Sequence, residues 1–245
     1  MAKQTPLVIV GPGRLGRSVQ RLRARAGPPP PLVGRHAAIP RADVTWLTVP
    51  DREIAAAARR VPSGGVVLHA SGATDLSPLV PHQRRGSLHP VMTFPGPEVG
   101  LPPDAPQTPA AIAGHPDAVA AARALAGRLG WRPFLVEGDR RAYHAAAVMA
   151  GNQATVLLGL ASELLVAAGV SPSDAPQLLA PLAIASIHNA AQVGPAQALT
   201  GPVARGDDAV LAAHRAALQA APAEVREAYE VLTRATRRLL EAPRD

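Results

Sequence analysis

The 245-residue chain has no cysteine, a single lysine and only two residues each of tryptophan, tyrosine and phenylalanine. The lack of cysteine excludes disulfide frameworks, thiolate nucleophiles and cysteine-ligated metal sites. The one lysine, Lys3, precedes the first apolar segment, which argues against a Schiff base or an interior lysine acid. An aromatic content of 2% disfavours the stacking platforms of proteins that bind single-stranded nucleic acid.

The chain also has little that would direct it to a membrane. Its first apolar run is too short for the core of a signal peptide. The most apolar stretch, 156–170, has 15 residues and contains Glu163, so it fits a buried helix better than a membrane span. With 47% hydrophobic and 18% charged residues, the composition is that of a globular protein of one or two domains. We expect a cytoplasmic protein without a membrane partner.

The positive charge is concentrated in one half of the chain. The net charge is +7, of which residues 1–137 carry +8 and residues 138–245 carry −1. An excess of one sign favours an anionic ligand on the first half, either nucleic acid or a phosphorylated cofactor. A solvated, arginine-rich surface is the alternative interpretation.

The hydrophobic pattern predicts an α/β fold followed by an all-helical region. Buried strands are predicted at 7–10, 32–34, 44–49, 66–70, 87–91, 110–113 and 134–136, and helices among them at 14–26, 52–60 and 117–129. This alternation is typical of a Rossmann-type, doubly wound parallel sheet, which binds ligands at the carboxyl ends of its strands. Further helices are predicted at 140–168, 173–193, 207–220 and 223–241. We therefore assign a dinucleotide-binding domain to 1–137 and a helical substrate and dimerisation domain to 138–245.

A glycine-rich turn carries the strongest functional signal. The turn Gly11-Pro12-Gly13-Arg14-Leu15-Gly16 fits the pattern G-x-G-x-x-G, directly after the first strand and directly before a helix, as a dinucleotide site requires. Gly11 would permit the tight turn, Gly13 the approach of a pyrophosphate, and Gly16 the close packing of helix on strand. Free N–H groups at the helix start would face the phosphates. An ordinary strand–helix turn is the alternative.

The residue at the end of the second strand indicates which dinucleotide binds. An NAD site usually has an acidic residue about 20 positions beyond the turn, whereas an NADP site has an arginine there. Arg35 stands at this place, and no acidic residue precedes Asp43. Arg35, with help from Arg14 and His36, would pair with the 2′-phosphate, so NADP is predicted. A surface arginine is the alternative.

Other strand ends are expected to contact the same cofactor. Val49 ends the predicted third strand and Pro50 follows it, and Ser71 follows the fourth. Ser71 is a candidate contact to the nicotinamide amide or ribose, or else an ordinary turn serine before Gly72. His69, inside the apolar fourth strand, is interpreted as a core residue.

Several of these motifs together resemble a known family. The strand endings Thr48–Asp51 and His69–Gly72 resemble those of pyrroline-carboxylate reductases and deazaflavin-dependent NADP oxidoreductases. The chain is identified, more closely, as a member of the bacterial family that joins a Rossmann-like domain to a helical domain of unknown function. The motifs that carry this resemblance are Ser87-Leu88-His89-Pro90, Tyr143-His144 with Asn152, and Thr200-Gly201-Pro202 with Arg205-Gly206-Asp207. It implies membership of the 6-phosphogluconate-dehydrogenase-like superfamily, whose helical domains usually form dimers.

One feature of that superfamily is missing. Its hydroxyacid dehydrogenases and ketopantoate reductases place a catalytic lysine on the first helix after the nucleotide domain. Here that helix has no lysine, and Val148 stands four positions before Asn152. A lysine-assisted hydride transfer is therefore not expected.

The remaining polar residues are candidates for the chemistry. A hydride transfer needs a proton donor or acceptor, and His144 is a candidate for it, with Asn152 as substrate orienter. Their spacing of eight residues places them about 12 Å apart along a helix, able to line one cleft. His89, whose His-Pro step is similar to that of prephenate and arogenate dehydrogenases, is the rival acid/base. Packing or turn roles are the alternatives for all three.

The second half contributes one candidate for the substrate. Arg205 could bind a carboxylate or phosphate, while Asp207 or Asp208 caps the next helix. No metal set emerges from the eight histidines. We predict an NADP-dependent oxidoreductase acting on a small, anionic carbonyl or imine compound, and a homodimer through the helical domain without nucleic acid. A non-catalytic NADP(H)-binding sensor is the alternative.

Overall fold

The computed structural model describes residues 5–24, 27–94 and 107–241. By compactness the chain divides into two units, Met1–Gly151 and Asn152–Asp245. Lys3 and the end of the helix predicted to reach residue 26 lie outside the described residues. The predicted boundary at 137/138 falls where the sheet has ended and the next helix is about to begin; as a boundary between functional domains it stays a prediction.

The first unit is built on a seven-stranded sheet. The strand order is β2-β1-β3-β4-β5-β6-β7, and every neighbouring pair is parallel except β5 and β6. The predicted Rossmann-type α/β fold is thereby confirmed. The strands are Thr5–Val10 (β1), Leu32–Val33 (β2), Ala42–Leu47 (β3), Val66–His69 (β4), Arg85–Pro90 (β5), Pro109–Gly114 (β6) and Arg132–Leu135 (β7).

One strand, β6, departs from the parallel arrangement that was predicted. This strand runs antiparallel to β5, with Leu88 opposite Ile112 and His89 opposite Ala111. A short apolar run such as the one in β6 is buried in either direction, so the residue pattern carries no information on strand polarity. His89 lies inside the predicted strand 87–91 and is the penultimate residue of β5.

Apolar side chains fill both faces of the sheet. Successive strand residues point to opposite faces, so Ile9 and Trp46 join one core cluster while Val8 and Leu47 join the other. The first unit contains the helices Arg14–Ala24 (α1), Ile54–Ala58 (α2), Pro116–Arg128 (α3) and Arg140–Val148 (α4). The predicted helix at 52–60 is shorter than expected, because residues Asp51–Glu53 form a 3₁₀ turn.

The second unit is helical, as predicted. It begins inside a π-helical segment, Met149–Gln153, that was not predicted. Its helices are Ala154–Ala167 (α5), Ala175–Val193 (α6), Pro195–Ala198 (α7), Pro202–Arg205 (α8), Asp208–Ala217 (α9) and Ala223–Glu241 (α10). Asp207 caps α9, since its carboxylate accepts a hydrogen bond of 3.2 Å from the Val210 N–H. This confirms the predicted cap.

One helical stretch is apolar over an unusual length. Residues 140–167 form 28 consecutive helical residues. The most apolar 18-residue segment among them has a mean hydropathy of 1.3, and none of the residues in that segment is buried. By length and composition alone, this stretch could cross a membrane. Core helices of other proteins share the same composition, so the finding by itself is weak evidence for a span.

Candidate functional site

The glycine turn between β1 and α1 has the shape of a phosphate cradle. Gly11 has a φ of +119°, a conformation that favours glycine. A Cβ at Gly16 would lie 2.1 Å from the Gly11 carbonyl oxygen, whereas a Cβ at Gly13 would meet nothing within 4 Å. The turn is therefore tight where the helix packs and open at Gly13, where a pyrophosphate would approach. The Thr48 hydroxyl holds this shape by donating to the Gly11 carbonyl at 2.8 Å.

The turn forms one wall of a cavity of about 540 Å³. This volume suits a small-molecule or cofactor site. The lining includes most of the residues predicted to bind cofactor, namely Gly11, Gly13, Arg35, Val49 and Pro50. Of the other predicted contacts, Arg14 is exposed on α1, the side chain of Leu15 packs on the core, and Ser71 lies in the polar network described below.

The cavity also contains an acidic residue that was not predicted to belong there. Glu53 lines it together with Arg35, Arg52 and Arg60, and its Oε1 atom lies 2.5 Å from Nη2 of Arg35. The Arg60 guanidinium donates to the Ala37 carbonyl at 2.5 Å. The cavity therefore carries three cationic side chains and one carboxylate, a balance that favours an anionic ligand.

A hydrogen-bonded network begins at the edge of this cavity. Asp51, which follows the lining residue Pro50, accepts hydrogen bonds from the hydroxyls of Ser71 at 2.6 Å and Thr74 at 2.8 Å. The Ser71 oxygen also accepts from the Thr74 N–H at 2.9 Å. The Ser71 hydroxyl is thus already engaged within the protein, and its predicted role as a cofactor contact stays a prediction.

Arg140, the first residue of α4, fastens the same loop from the other side. Its guanidinium donates to the carbonyls of Ser71 at 2.8 Å and Thr74 at 3.2 Å. Its Nη1 atom is buried without a hydrogen-bond partner among the residues that the structure describes. Asp51 and Arg140 together fix the 71–74 loop, so the position of Gly72 is determined by an anion and a cation.

Two predicted histidines meet beside Gly72. The rings of His89 and His144 have centroids 5.9 Å apart. A Cβ at Gly72 would lie 2.5 Å from Cδ2 of His144 and 2.9 Å from Cε1 of His89. Only a glycine therefore allows both rings to approach the loop this closely. The two residues were predicted as rivals for one role, and the structure places them side by side.

Tyr143 completes the cluster. Its hydroxyl oxygen lies 2.6 Å from Nδ1 of His89, and its ring stacks edge-on against His89 and Phe134. Burial raises the pKa of Tyr143 to about 12, with Arg140 opposing the change. Burial, assisted by His144 and Arg140, lowers the pKa of His89 to about 4. At neutral pH the pair therefore consists of a neutral phenol and a neutral imidazole.

His69 lies behind this cluster as a structural residue, as predicted. It is fully buried; Nε2 lies 3.1 Å from the Asp75 carbonyl, and Nδ1 accepts from the Ser71 N–H at 3.2 Å. Only a neutral ring with its proton on Nε2 satisfies both contacts. Burial, followed by the charge of Arg140, lowers the pKa of His69 to about 4.

The two candidates from the helical half lie in the second unit. Asn152 is an exposed residue of the π-helical segment, and Arg205 is an exposed residue at the end of α8. Their predicted contacts with substrate stay predictions. Within residues 5–24, 27–94 and 107–241, no three His, Asp or Glu side chains are grouped as a metal site would need.

A family model matches the part of the chain that follows the nucleotide cavity. Residues 108–236 match the model of a domain of unknown function, DUF2520. The chain belongs to this family. The match covers Tyr143, His144, Asn152 and Arg205 but begins after the glycine turn. Comparison with the sequences of curated proteins yields no match.

Solved structures support the fold over nearly the whole chain. Protein TM1727 from Thermotoga maritima is 23% identical, with 96% of this chain and 98% of that chain covered and a TM-score of 0.76. BF3122 from Bacteroides fragilis, whose description proposes an NADP oxidoreductase, is 21% identical at the same coverage, with a TM-score of 0.75. A 1-pyrroline-5-carboxylate reductase from Streptococcus pyogenes is 14% identical, with 96% and 99% covered and a TM-score of 0.62. The fold predicted from the resemblance is confirmed.

The roles of four site residues were not predicted from the sequence. Tyr143 was recognised only as part of a motif, and Arg140, Asp51 and Glu53 were given no function. The signal for Asp51 and Glu53 was their position just beyond the carboxyl end of β3, the sheet edge where ligands bind. The signal for Arg140 and Tyr143 was weaker, since only tertiary contacts bring α4 to the 71–74 loop.

Proposed function

We propose that this protein is an NADP(H)-dependent oxidoreductase that acts on a small, anionic carbonyl or imine compound and uses Tyr143 and His89 in place of a lysine. The proposal rests on one observation: the nucleotide cavity and the cluster of His89, His144 and Tyr143 lie in the same unit and are linked by consecutive residues. Pro50 lines the cavity at the glycine turn, and the next residue, Asp51, holds the loop on which His89 and His144 pack.

The cavity fits a dinucleotide in shape and charge. The open side of Gly13 and the N–H groups that start α1 would hold the pyrophosphate. Arg35 would hold the 2′-phosphate, and Val49 and Pro50, which line the same cavity, would contact the rest of the nucleotide. A bound dihydronicotinamide would supply the hydride. The description of BF3122 and the reductase activity in the name of the Streptococcus protein support this reaction class.

The Tyr143–His89 pair can deliver one proton without becoming charged. In one tautomer, Nδ1–H of His89 donates to the Tyr143 oxygen, which leaves the phenolic hydrogen free for a substrate oxygen or nitrogen. When that hydrogen leaves, the Nδ1 proton passes to the phenolic oxygen. Nε2 of His89, which faces Gly72 beside His144, takes up a replacement proton in the same step, so that the ring stays neutral and only its tautomer changes. The net consumption is one proton from solvent.

The substrate class is inferred from the positive charge of Arg140, which lies near the pair. Arg140 has carbonyl partners and no ion pair in the described ranges, so a carboxylate nearby would be favoured. Arg205 as a second anion contact and Asn152 as a substrate orienter belong to the proposal. The name of the pyrroline-5-carboxylate reductase combines a C=N bond with a carboxylate, which is the chemistry we propose.

The cofactor assignment predicts how Gly13→Ala and Gly16→Ala differ. NADPH at 100 times its dissociation constant should stabilise the parent protein by about 2.7 kcal/mol, measured as a thermal shift. Gly13→Ala places a methyl group in open space, so we expect the unliganded Tm to hold while the NADPH shift falls sharply. Gly16→Ala drives its Cβ against the Gly11 carbonyl and should lower the unliganded Tm itself. A Gly13→Ala protein that binds NADPH like the parent would contradict the assignment.

A non-catalytic NADP(H)-binding sensor is the second candidate, since a cavity and a buried polar cluster would also serve a binding protein. Turnover separates the two. We expect NADPH oxidation with a panel of cyclic imines, 2-oxo acids and ketones supplied with ammonia. NADPH binding without oxidation across that panel and across a metabolite extract would favour the sensor.

The helical unit is proposed to form a homodimer. Apolar side chains that a folded chain would normally bury are exposed along two of its helices. They are Val156 and Leu157 on α5 and Leu178, Leu182, Ile184 and Ile187 on α6. A second copy of the chain would cover them, in line with the resemblance to a superfamily of dimers. The cytoplasmic location and the lack of nucleic-acid and membrane partners stay predictions.

The dimer proposal is tested by placing a charge on this surface. Leu182 is 66% exposed, and Leu182→Glu should convert a dimer into a monomer in light scattering, because an unpaired carboxylate would be buried in the interface. Val231→Glu, at a 52% exposed position on α10, is the matched control and should remain dimeric. A monomeric parent protein would contradict the proposal.

A further inference from the structure

We infer that Glu53 is a specificity-determining residue of the nucleotide cavity. Its carboxylate competes with the 2′-phosphate of NADPH for Arg35, and it offers the ribose hydroxyls of NADH a hydrogen-bond acceptor. The inference rests on the proposed function, since it concerns how the same cavity distinguishes two nicotinamide nucleotides.

The pair between Arg35 and Glu53 is asymmetric. The side chain of Arg35 is 68% exposed and that of Glu53 is 25% exposed, with 2.5 Å between Nη2 and Oε1. Glu53 is also held through its backbone, because its N–H donates to the Pro50 carbonyl at 2.8 Å. The carboxylate is therefore the fixed member of the pair, and the guanidinium is the member that a ligand can reach.

The sheet order explains why these two residues meet. β2 and β3 lie on either side of β1, and neighbouring strands are about 4.8 Å apart. Arg35 follows β2 and Glu53 follows β3, so their backbones start about 10 Å apart at the same sheet edge. Two long side chains can bridge that gap across the end of β1, where the glycine turn begins. The strand order therefore places the pair at the nucleotide cavity.

Each nucleotide would find a different partner in this pair. A 2′-phosphate needs a guanidinium, while the ribose diol of NADH usually hydrogen-bonds to a carboxylate. A phosphate on Arg35 would have to replace Glu53 or bear a second negative charge beside it, which opposes binding. Glu53 therefore reduces the advantage that Arg35, Arg52 and Arg60 would otherwise give to NADPH.

Glu53→Gln tests this inference because it removes the charge and keeps the shape. The dissociation constants of NADPH and NADH would be measured by calorimetry on the full chain. NADPH should bind about threefold to fivefold more tightly, the scale of one exposed ion pair, and NADH should bind more weakly. Glu137→Gln removes the same charge from an exposed residue outside the cavity, and the ratio of the two constants should stay at the parent value. An unchanged ratio or weaker NADPH binding in Glu53→Gln would overturn the inference.

Arg35→Gln tests the pair from the other side and remains informative if Glu53→Gln folds poorly. NADPH affinity should fall, while NADH affinity holds because Glu53 is left free for the ribose. Equal losses for both nucleotides would overturn the inference. Gly13→Ala could abolish nucleotide binding while Glu53→Gln leaves the ratio of the NADPH and NADH dissociation constants unchanged. The proposed function would then be supported, and the role of Glu53 would be wrong. If the parent chain binds neither nucleotide, both fall.

Discussion

Replacing Tyr143 with phenylalanine is expected to lower kcat for NADPH-dependent reduction by a factor of about 10² to 10⁴, the usual contribution of a positioned proton donor. The substitution removes the hydroxyl 2.6 Å from Nδ1 of His89 and keeps the ring that packs on Phe134. The dissociation constant of NADPH should hold, because Tyr143 does not line the nucleotide cavity. Stopped-flow oxidation of NADPH with the best substrate of the imine and ketone panel would measure kcat, and calorimetry would measure binding.

The chain contains its own control for this experiment. Its only other tyrosine, Tyr229, also contacts a histidine, with 2.8 Å between its hydroxyl and Nδ1 of His214 and the rings edge-on at 5.9 Å. That pair lies within the helical unit, on α9 and α10, and neither residue has a role in the proposed reaction. Tyr229→Phe should leave kcat unchanged. If both variants retain parental turnover, Tyr143 is not the proton donor, and the half-exposed His144 becomes the candidate to test.

The parts of the site that could be predicted from the sequence are contiguous in the chain. The glycine turn is one such part, because Gly11, Gly13 and Gly16 act through the local geometry of a strand–helix connection. Arg35 is another, since its distance along the chain from the turn places it at the end of the next strand. In both cases the residues that determine the geometry lie within one strand–helix–strand segment.

The parts that could not be predicted depend on register between distant segments. Tyr143 and His89 are 54 positions apart, and their contact requires both the antiparallel placement of β6 and the start of α4 at Arg140. Arg35 and Glu53 meet across the end of β1, because the strand order places β2 and β3 on either side of it. Residue types at these positions were visible, yet their roles arise from strand order, which a pattern of apolar runs does not determine.

The two buried histidines predict a loss of stability in mild acid. In the folded chain the pKa values of His69 and His89 are both lowered to about 4, chiefly by burial. In an unfolded chain the pKa of a histidine is about 6.5. Between these two pKa values the unfolded chain binds protons at these histidines and the folded chain does not. The free energy of unfolding therefore falls as the pH falls. Each histidine should cost about 2 kcal/mol by pH 5. Their joint effect is a large share of the about 5–15 kcal/mol that stabilises a typical protein.

Tryptophan fluorescence makes this measurement specific to the first unit. Trp46 and Trp131 are the only tryptophans of the chain, and both lie buried in the core beside the sheet. Urea unfolding between pH 7.5 and 5 avoids the range in which carboxylates begin to titrate, so the slope of the unfolding free energy against pH counts histidine protons. We expect a slope approaching two protons near pH 5 in the parent and about one less in His89→Asn, since only His69 would then remain of this pair. A parental slope below one proton would show that the two rings are hydrated in the folded state, and the neutral Tyr143–His89 pair on which the proton delivery depends would then be wrong.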